Sequence, residues 1–263
     1  MLGLGNSLIK GGLTGPTIVT DGLVLKHKYD ASAVVPVSDG AAFFGGSTVD
    51  DYIDCGAIDL GTAGFSVGGW FWINSTQADQ FATLVGEMEY DSHGRGFIIR
   101  FNNNNLQFGT GDDTSGDSSE YSNFLTTSGL KDNWVHVMGT LSGGTSGDLT
   151  RKFYVNGVLI TNNTSKRFLS KHASVNFSIG KSLNINNATS ALLGYSSNVG
   201  LWTSVLTQAQ IKSIMWKNYA DLTTSETTSL VSWWNLDTET NTSGEAGTGG
   251  VKDSHGTNHG TLT

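Results

Sequence analysis

From Gly22 onward the chain alternates short apolar runs with clusters of Gly, Asn, Asp and Ser, the layout of an antiparallel sandwich or barrel. The clearest run, residues 65–73, is FSVGGWFWI. Alternate side chains of an extended strand share a face, so Phe65, Val67, Phe71 and Ile73 point one way and Trp70 and Trp72 the other. Both faces are apolar near its end, which predicts a central strand covered on both sides. Residues 134–141 repeat the pattern, with Trp134, His136 and Met138 opposing Val135, Val137 and Leu141. Two apolar runs flank four consecutive Asn at 102–105, and Asn tolerates the positive φ that a hairpin turn requires. A second hairpin is predicted where Asn156-Gly157 divides residues 153–155 from 158–160. Residues 109–121 form a polar, acidic stretch long enough to predict a functional or mobile loop.

One helix is predicted, over 208 to about 218. Thr207 suits the N-cap, Gln210 completes a capping box, and Leu206 and Ile211 are spaced as a hydrophobic staple. Residues 230–236, LVSWWNL, are apolar on both faces. They predict a strand over about 229–237, added to the sandwich in cis or on a neighbouring subunit, with Trp233 and Trp234 as the assembly residues. Residues 1–20 are Gly-rich and aperiodic and predict an arm that orders only against a partner surface. Residues 21–263 then make one domain, with a polar tail, 253–263, lying on its surface.

Composition narrows the picture. Charged residues are only 14 %, against about 25 % in ordinary domains, so the polar surface is built of Ser, Thr, Asn and Gly rather than the Glu and Lys of helical surfaces. A net charge of −8 argues against a nucleic-acid partner, which needs a clustered basic surface. The single thiol, Cys55, makes no internal disulfide. No apolar run approaches the ~18 residues of a membrane span, and the first ten residues lack the pattern of a signal peptide. No membrane partner is expected.

Several motifs taken in order resemble the concanavalin A-like, laminin G-like domains. They are Phe65-Ser66-Val67-Gly68-Gly69-Trp70, Trp134-Val135-His136-Val137, Phe153-Tyr154-Val155-Asn156-Gly157, Ile179-Gly180, Gly200-Leu201-Trp202, and Leu206-Thr207-Gln208-Ala209-Gln210-Ile211. The resemblance covers roughly residues 22–218. It implies an all-β jelly-roll sandwich of two antiparallel sheets with one short docked helix. The ends, LVSWWNLD at 230–237 and DSHGTNHGTL at 253–262, are similar to the tails of concanavalin A-like structural proteins of tailed phages, and the opening MLGLGNSLIKGG to virion proteins of marine phages. That likeness implies a home on a virion.

Candidate chemistry is sparse. Glu87, Glu89 and Asp91 would share a strand face ~6–7 Å apart. Retaining glycosidases need two carboxyls ~5–5.5 Å apart. The order of Glu and Asp is wrong for the motif of concanavalin A-like glucanases, so no catalytic residue is assigned. Asp50, Asp51 and Asp54 supply loop carboxylates, and laminin G relatives often hold a rim Ca²⁺, so calcium is the cofactor these residues suggest. Turn formation is the competing reading of the same aspartates. His93 and His255 lie in identical Asp-Ser-His-Gly tetrapeptides, which read as β-turns rather than as a catalytic triad. Trp216 and the set Tyr121, Tyr195 and Trp202 lie near loops or the helix, where aromatic faces stack on sugars.

The leading expectation is a non-enzymatic virion structural protein, a capsid decoration or fibre-like subunit of a tailed phage. It would assemble as a homo-oligomer with other virion proteins of the capsid or tail. The alternative is an adhesin that binds host surface polysaccharide.

Overall fold

Fifteen strands carry the fold among the described residues. In chain order they are β1 (Ala42–Gly45), β2 (Ile53–Asp54), β3 (Gly64–Ile73), β4 (Ala82–Glu89), β5 (Arg95–Asn102), β6 (Asn105–Gly111), β7 (Ser119–Thr126), β8 (Trp134–Ser142), β9 (Leu149–Val155), β10 (Val158–Ser165), β11 (Ser178–Ile179), β12 (Leu193–Trp202), β13 (Leu230–Trp234), β14 (Gly250–Val251) and β15 (Gly260–Leu262). The structure is a computed structural model and describes residues 36–37, 40–46, 51–61, 64–77, 81–89, 95–102, 104–111, 119–126, 130–143, 149–165, 175–182, 191–237 and 250–263. The chain divides into two units, Met1–Ala33 and Val34–Thr263; the first, with the arm expected over 1–20, lies outside the described residues.

The strands form two antiparallel sheets. The first runs β1-β12-β3-β8-β9-β10, with β13 also paired to β12; the second runs β14-β15-β2-β11-β4-β5-β6-β7. This is the all-β jelly-roll sandwich the sequence implies. The core forms where the inner faces meet. Phe65 of β3 packs on Phe97 of β5 at 4.6 Å, Phe108 of β6 stacks on Phe153 of β9 at 6.3 Å, and Phe177 stacks on Trp234 of β13 at 5.2 Å. Gly139 makes room for one of these rings: a Cβ there would come within 2.8 Å of Phe108.

Both predicted hairpins form. Asn104 turns β5 into β6 at φ 59°, and Asn156-Gly157 turns β9 into β10 at φ 49° and 72°. The loop expected over 109–121 is shorter than predicted: β6 runs to Gly111 and β7 starts at Ser119, because strand pairing extends to Gly111↔Ser119.

The helix, α1 (Gln208–Ile214), begins at the predicted capping box, with Gln210 N–H bonded to Thr207 Oγ1 and Thr207 N–H to Gln210 Oε1. It ends sooner than predicted and gives way to a 3₁₀ turn (Tyr219–Asp221) and a second short helix, α2 (Thr224–Thr227). Ile211 and Ile214 dock on the outer face of the first sheet in a second apolar cluster with Met138, Tyr154, Trp202 and Trp233.

The chain after α2 completes both sheets. β13 pairs with β12 in cis. Trp234 enters the main core and Trp233 the outer cluster, at 0 % and 1 % exposure, so both indoles expected to serve assembly are buried within their own chain. A bulge between Leu201 and Trp202 breaks the alternation and brings Leu230 to the same side as Trp233. The tail lies on the surface as expected, with only Asp253 and Gly260 buried, and it is also part of the sheet. β15 pairs with β2 at Leu262↔Ile53, and the buried Asp253 ties the loop before it to β13.

Candidate functional site

The outward face of the first sheet is covered over only part of its length. α1 lies over Met138, Tyr154 and Trp202, and the indole N–H of Trp70 donates to Met215 O at 2.9 Å. One step along the strands the cover stops. The next row of outward positions holds an aromatic ring on each of four adjacent strands, in direct register: Phe43 of β1 faces Tyr195 of β12, Tyr195 faces Trp72 of β3, and Trp72 faces Trp134 of β8.

The rings lean together on Tyr195. Its centroid lies 5.1 Å from Phe43, 5.5 Å from Trp72 and 6.4 Å from Trp134, with interplanar angles of 50°, 70° and 49°. They are therefore tilted against one another and form a corrugated surface rather than one flat plane. Phe43 is 62 % exposed and Tyr195 38 %, while Trp72 and Trp134 are half-buried. Solvated aromatics this closely grouped leave an apolar patch in water, the usual mark of a binding surface. On the helix side Trp216, 49 % exposed, stands 5.9 Å from Trp70 and flanks the row.

The electrostatics are plain. On the side away from α1 the row is bordered by Asn74 and Asp132, whose carboxylate accepts the Ser75 N–H at 2.8 Å. On the α1 side lie Ser197, Trp70 and His136, in register with one another. His136 is buried beside Trp70, and burial lowers its pKa to about 3, so the ring is neutral at physiological pH. Lys217, at the end of α1, is held by both carboxylate oxygens of Glu226 at 2.7 and 2.8 Å.

Of the sugar-stacking residues singled out by sequence, only Tyr195 belongs to this row. Tyr121 sits on β7 in the other sheet, opposite Gly109. Trp202 is fully buried and donates its indole N–H to Glu226 O at 2.7 Å. Phe43, Trp72 and Trp134 were not singled out. The alternation of residues 65–73 and 134–141 put both indoles on the correct face, but which part of that face the helix covers is not written in the strands.

The carboxylates are dispersed. Asp50 and Asp91 lie outside the described residues. Asp54 accepts the Gly56 N–H at 2.9 Å and the Asn176 amide at 3.1 Å, while the Asp51 backbone N–H anchors the C-terminal Thr263 at 2.7 Å. Among the described residues no three His, Cys, Asp or Glu side chains converge on a point. Glu87 is buried on β4 opposite Phe97. His255 forms part of a turn in which Asp253 Oδ1 accepts the His255 and Gly256 N–H groups, each at 3.0 Å.

The profile of the concanavalin A-like lectin/glucanases superfamily matches residues 45–212, more than half of the chain. The chain belongs to this superfamily. The match ends inside α1, so β13, β14 and β15 lie beyond it. No curated protein sequence matches the chain. Among solved structures, a Bacteroides ovatus protein presumed to bind carbohydrate superposes with a TM-score of 0.61 at 18 % identity, over 86 % of this chain and 58 % of its own. This chain thus spans less than two thirds of that protein. The CBM40 module of the Ruminococcus gnavus IT-sialidase superposes with a TM-score of 0.51 at 14 % identity, over 69 % of this chain and all of its own; the same module bound to α2,3-sialyllactose gives 0.52 at 14 % over the same shares. At these identities the likeness is one of fold.

Proposed function

We propose that this chain is a non-catalytic glycan-binding module of the lectin-like kind, and that the aromatic row on β1, β12, β3 and β8 holds the sugar. The observation that carries the reading is the row itself: four rings in register on adjacent strands, on a stretch of outer face that α1 leaves open. A pyranose ring carries C–H groups on its faces and hydroxyls at its edge. Laid on an aromatic face it buries the first and keeps the second in water. The carbohydrate-binding proteins of the same fold support this reading over a purely structural role. A non-catalytic role fits Glu87, whose carboxyl is enclosed in the sandwich at 3 % exposure, out of reach of a polysaccharide on the surface.

Attachment to a tailed-phage particle, in several copies, is the context proposed from the likeness of the two chain ends. The two readings are compatible, since a particle that meets host polysaccharide uses such a module.

The test is a glycan array followed by calorimetry with the best ligand. Saturable binding that free sugar competes away, and that Trp72→Ala or Trp134→Ala removes while the melting transition stays cooperative, supports the reading. Binding that survives both substitutions moves the site elsewhere, and no binding to any glycan overturns the function.

A further inference from the structure

Resting on the glycan-binding reading, we infer that the row takes an internal stretch of a linear, neutral polysaccharide, and not an anionic sugar such as a sialic acid or a uronate. Two observations carry this, one of charge and one of shape.

The first is the absence of a cation at the row among the described residues. A carboxylated sugar brought to a protein surface loses hydration, and sites that hold one replace it with Arg, Lys or several N–H donors. The four rings carry no formal charge. On their helix side the neighbours Ser197, Trp70 and His136 are uncharged at neutral pH, the imidazole included. On their far side lie the carboxylates of Asp132 and of Asp51, the latter beside Gly45 and Phe43, which repel an anion, while the Lys131 ammonium is turned away to the Ser75 and Gln77 carbonyls and the Phe101 ring. Beyond α1, Lys217 is neutralised by Glu226 at 2.7 Å, and Lys212, in the last turn of α1, packs its stem against Gly157 of the β9–β10 turn rather than on the rings. The chain as a whole carries −8, so its long-range field also turns anions away.

The second observation is that the row is open at both ends. β1 is the edge strand of the path β1-β12-β3-β8, so among the described residues no strand lies beyond Phe43. At the other end β9 has already turned back at Asn156-Gly157, where Asn156 Oδ1 accepts the His136 N–H at 2.9 Å, so among the described residues no strand walls off Trp134. Phe43 and Trp134 lie on opposite sides of Tyr195, at 5.1 and 6.4 Å, which makes the platform longer than one sugar ring. A surface with two open ends grips the middle of a chain. The chain runs across the strands, with Trp216 along its helix side.

The experiment uses the full chain and two sets of probes in titration calorimetry: neutral linear oligosaccharides from one to six units, drawn from β-glucan, mannan and galactan, and the anionic probes sialyllactose and oligogalacturonate. The expected result is binding to a neutral series whose affinity climbs from one to about four units. It should be unchanged between low salt and 0.5 M NaCl and weakened roughly tenfold or more by Trp72→Ala. Tighter binding of an anionic probe, weakened by salt and lost in Trp72→Ala, overturns the neutral-ligand inference and leaves the glycan-binding reading standing. Binding of a neutral monosaccharide as tight as its tetramer overturns the internal-chain inference alone. Failure of every probe, neutral and anionic, overturns both.

Discussion

Asp253 Oδ1 accepts the backbone N–H of Trp233 at 3.0 Å, joining the C-terminal loop to the strand that completes the first sheet. The same oxygen accepts the His255 and Gly256 N–H groups, and Oδ2 accepts that of Asn258 at 3.1 Å. The loop in turn receives the Trp234 indole N–H at Asn258 O, at 2.9 Å. One buried carboxylate therefore organises the passage from β13 in one sheet to β15 in the other. Asp253→Ala leaves four N–H groups without their acceptor, at a cost of about 2–4 kcal/mol. Asp253→Asn keeps one oxygen acceptor and loses less. Urea denaturation of the three proteins ranks them; equal midpoints would show that the carboxylate is dispensable.

Trp72 and Trp234 separate binding from folding. Trp72 is half-buried at the surface row, and Trp234 is fully buried against Phe177. Trp234→Ala should cost about 3–5 kcal/mol, while Trp72→Ala should cost roughly 1–2 kcal/mol and abolish glycan binding. Thermal melts and binding isotherms on the same preparations check both. A Trp234→Ala protein as stable as the parent would mean that the strand is not part of the core.

His136 sets an acid limb in stability. Burial depresses its pKa from 6.5 to about 3, and Nδ1 finds no hydrogen-bond partner among the described residues. The unfolded chain therefore takes up a proton that the folded chain refuses. Stability is fully present above about pH 6.5 and is lost as the pH falls from there towards 3. His136→Leu removes the titration and the unpaired nitrogen, so its stability should be flat over that window and within about 1.5 kcal/mol of the parent at pH 7. Denaturation midpoints measured from pH 7.5 to 4 decide the matter, and parallel pH profiles would refute it.

Glu226 acts at lower pH. Burial alone would raise its pKa, but hydrogen bonds from Lys217, Ser213 and Thr223 outweigh that and hold it at about 2. Its folded pKa lies below the unfolded value, so its contribution is present above about pH 4.5 and is lost as the pH falls towards 2. Glu226→Gln loses the Lys217 pair and weakens the capping box of α2. Because the Glu226 carbonyl also holds the Trp202 indole, near-ultraviolet circular dichroism of the tryptophans should report the loosening. An unchanged spectrum and acid profile would show that the pair contributes nothing.

Features that depend on neighbours along the chain are legible in the sequence. Asn156-Gly157 makes its turn because these two residues accept positive φ, and Thr207 and Gln210 start α1 because each satisfies the other's backbone N–H. The faces of β3 and β8 follow from strict alternation, which puts Trp70 and Trp72 on the same side. Tertiary structure alone decided that they have different fates. Trp70 is sealed by Met215 at the end of α1, nearly 150 residues further along the chain, whereas Trp72, two positions on, lies past the end of that cover and meets water. It likewise decided that Phe43, Tyr195, Trp72 and Trp134 share one row, because that requires the pairing order β1-β12-β3-β8. The tail shows the same division. Its polar composition predicts the surface position it has, but not that it is held there by backbone pairing with β2 and by the carboxylate of Asp253, interactions that do not depend on apolar content. Local chemistry fixes turns, caps and faces; which face is covered depends on where distant segments come to rest.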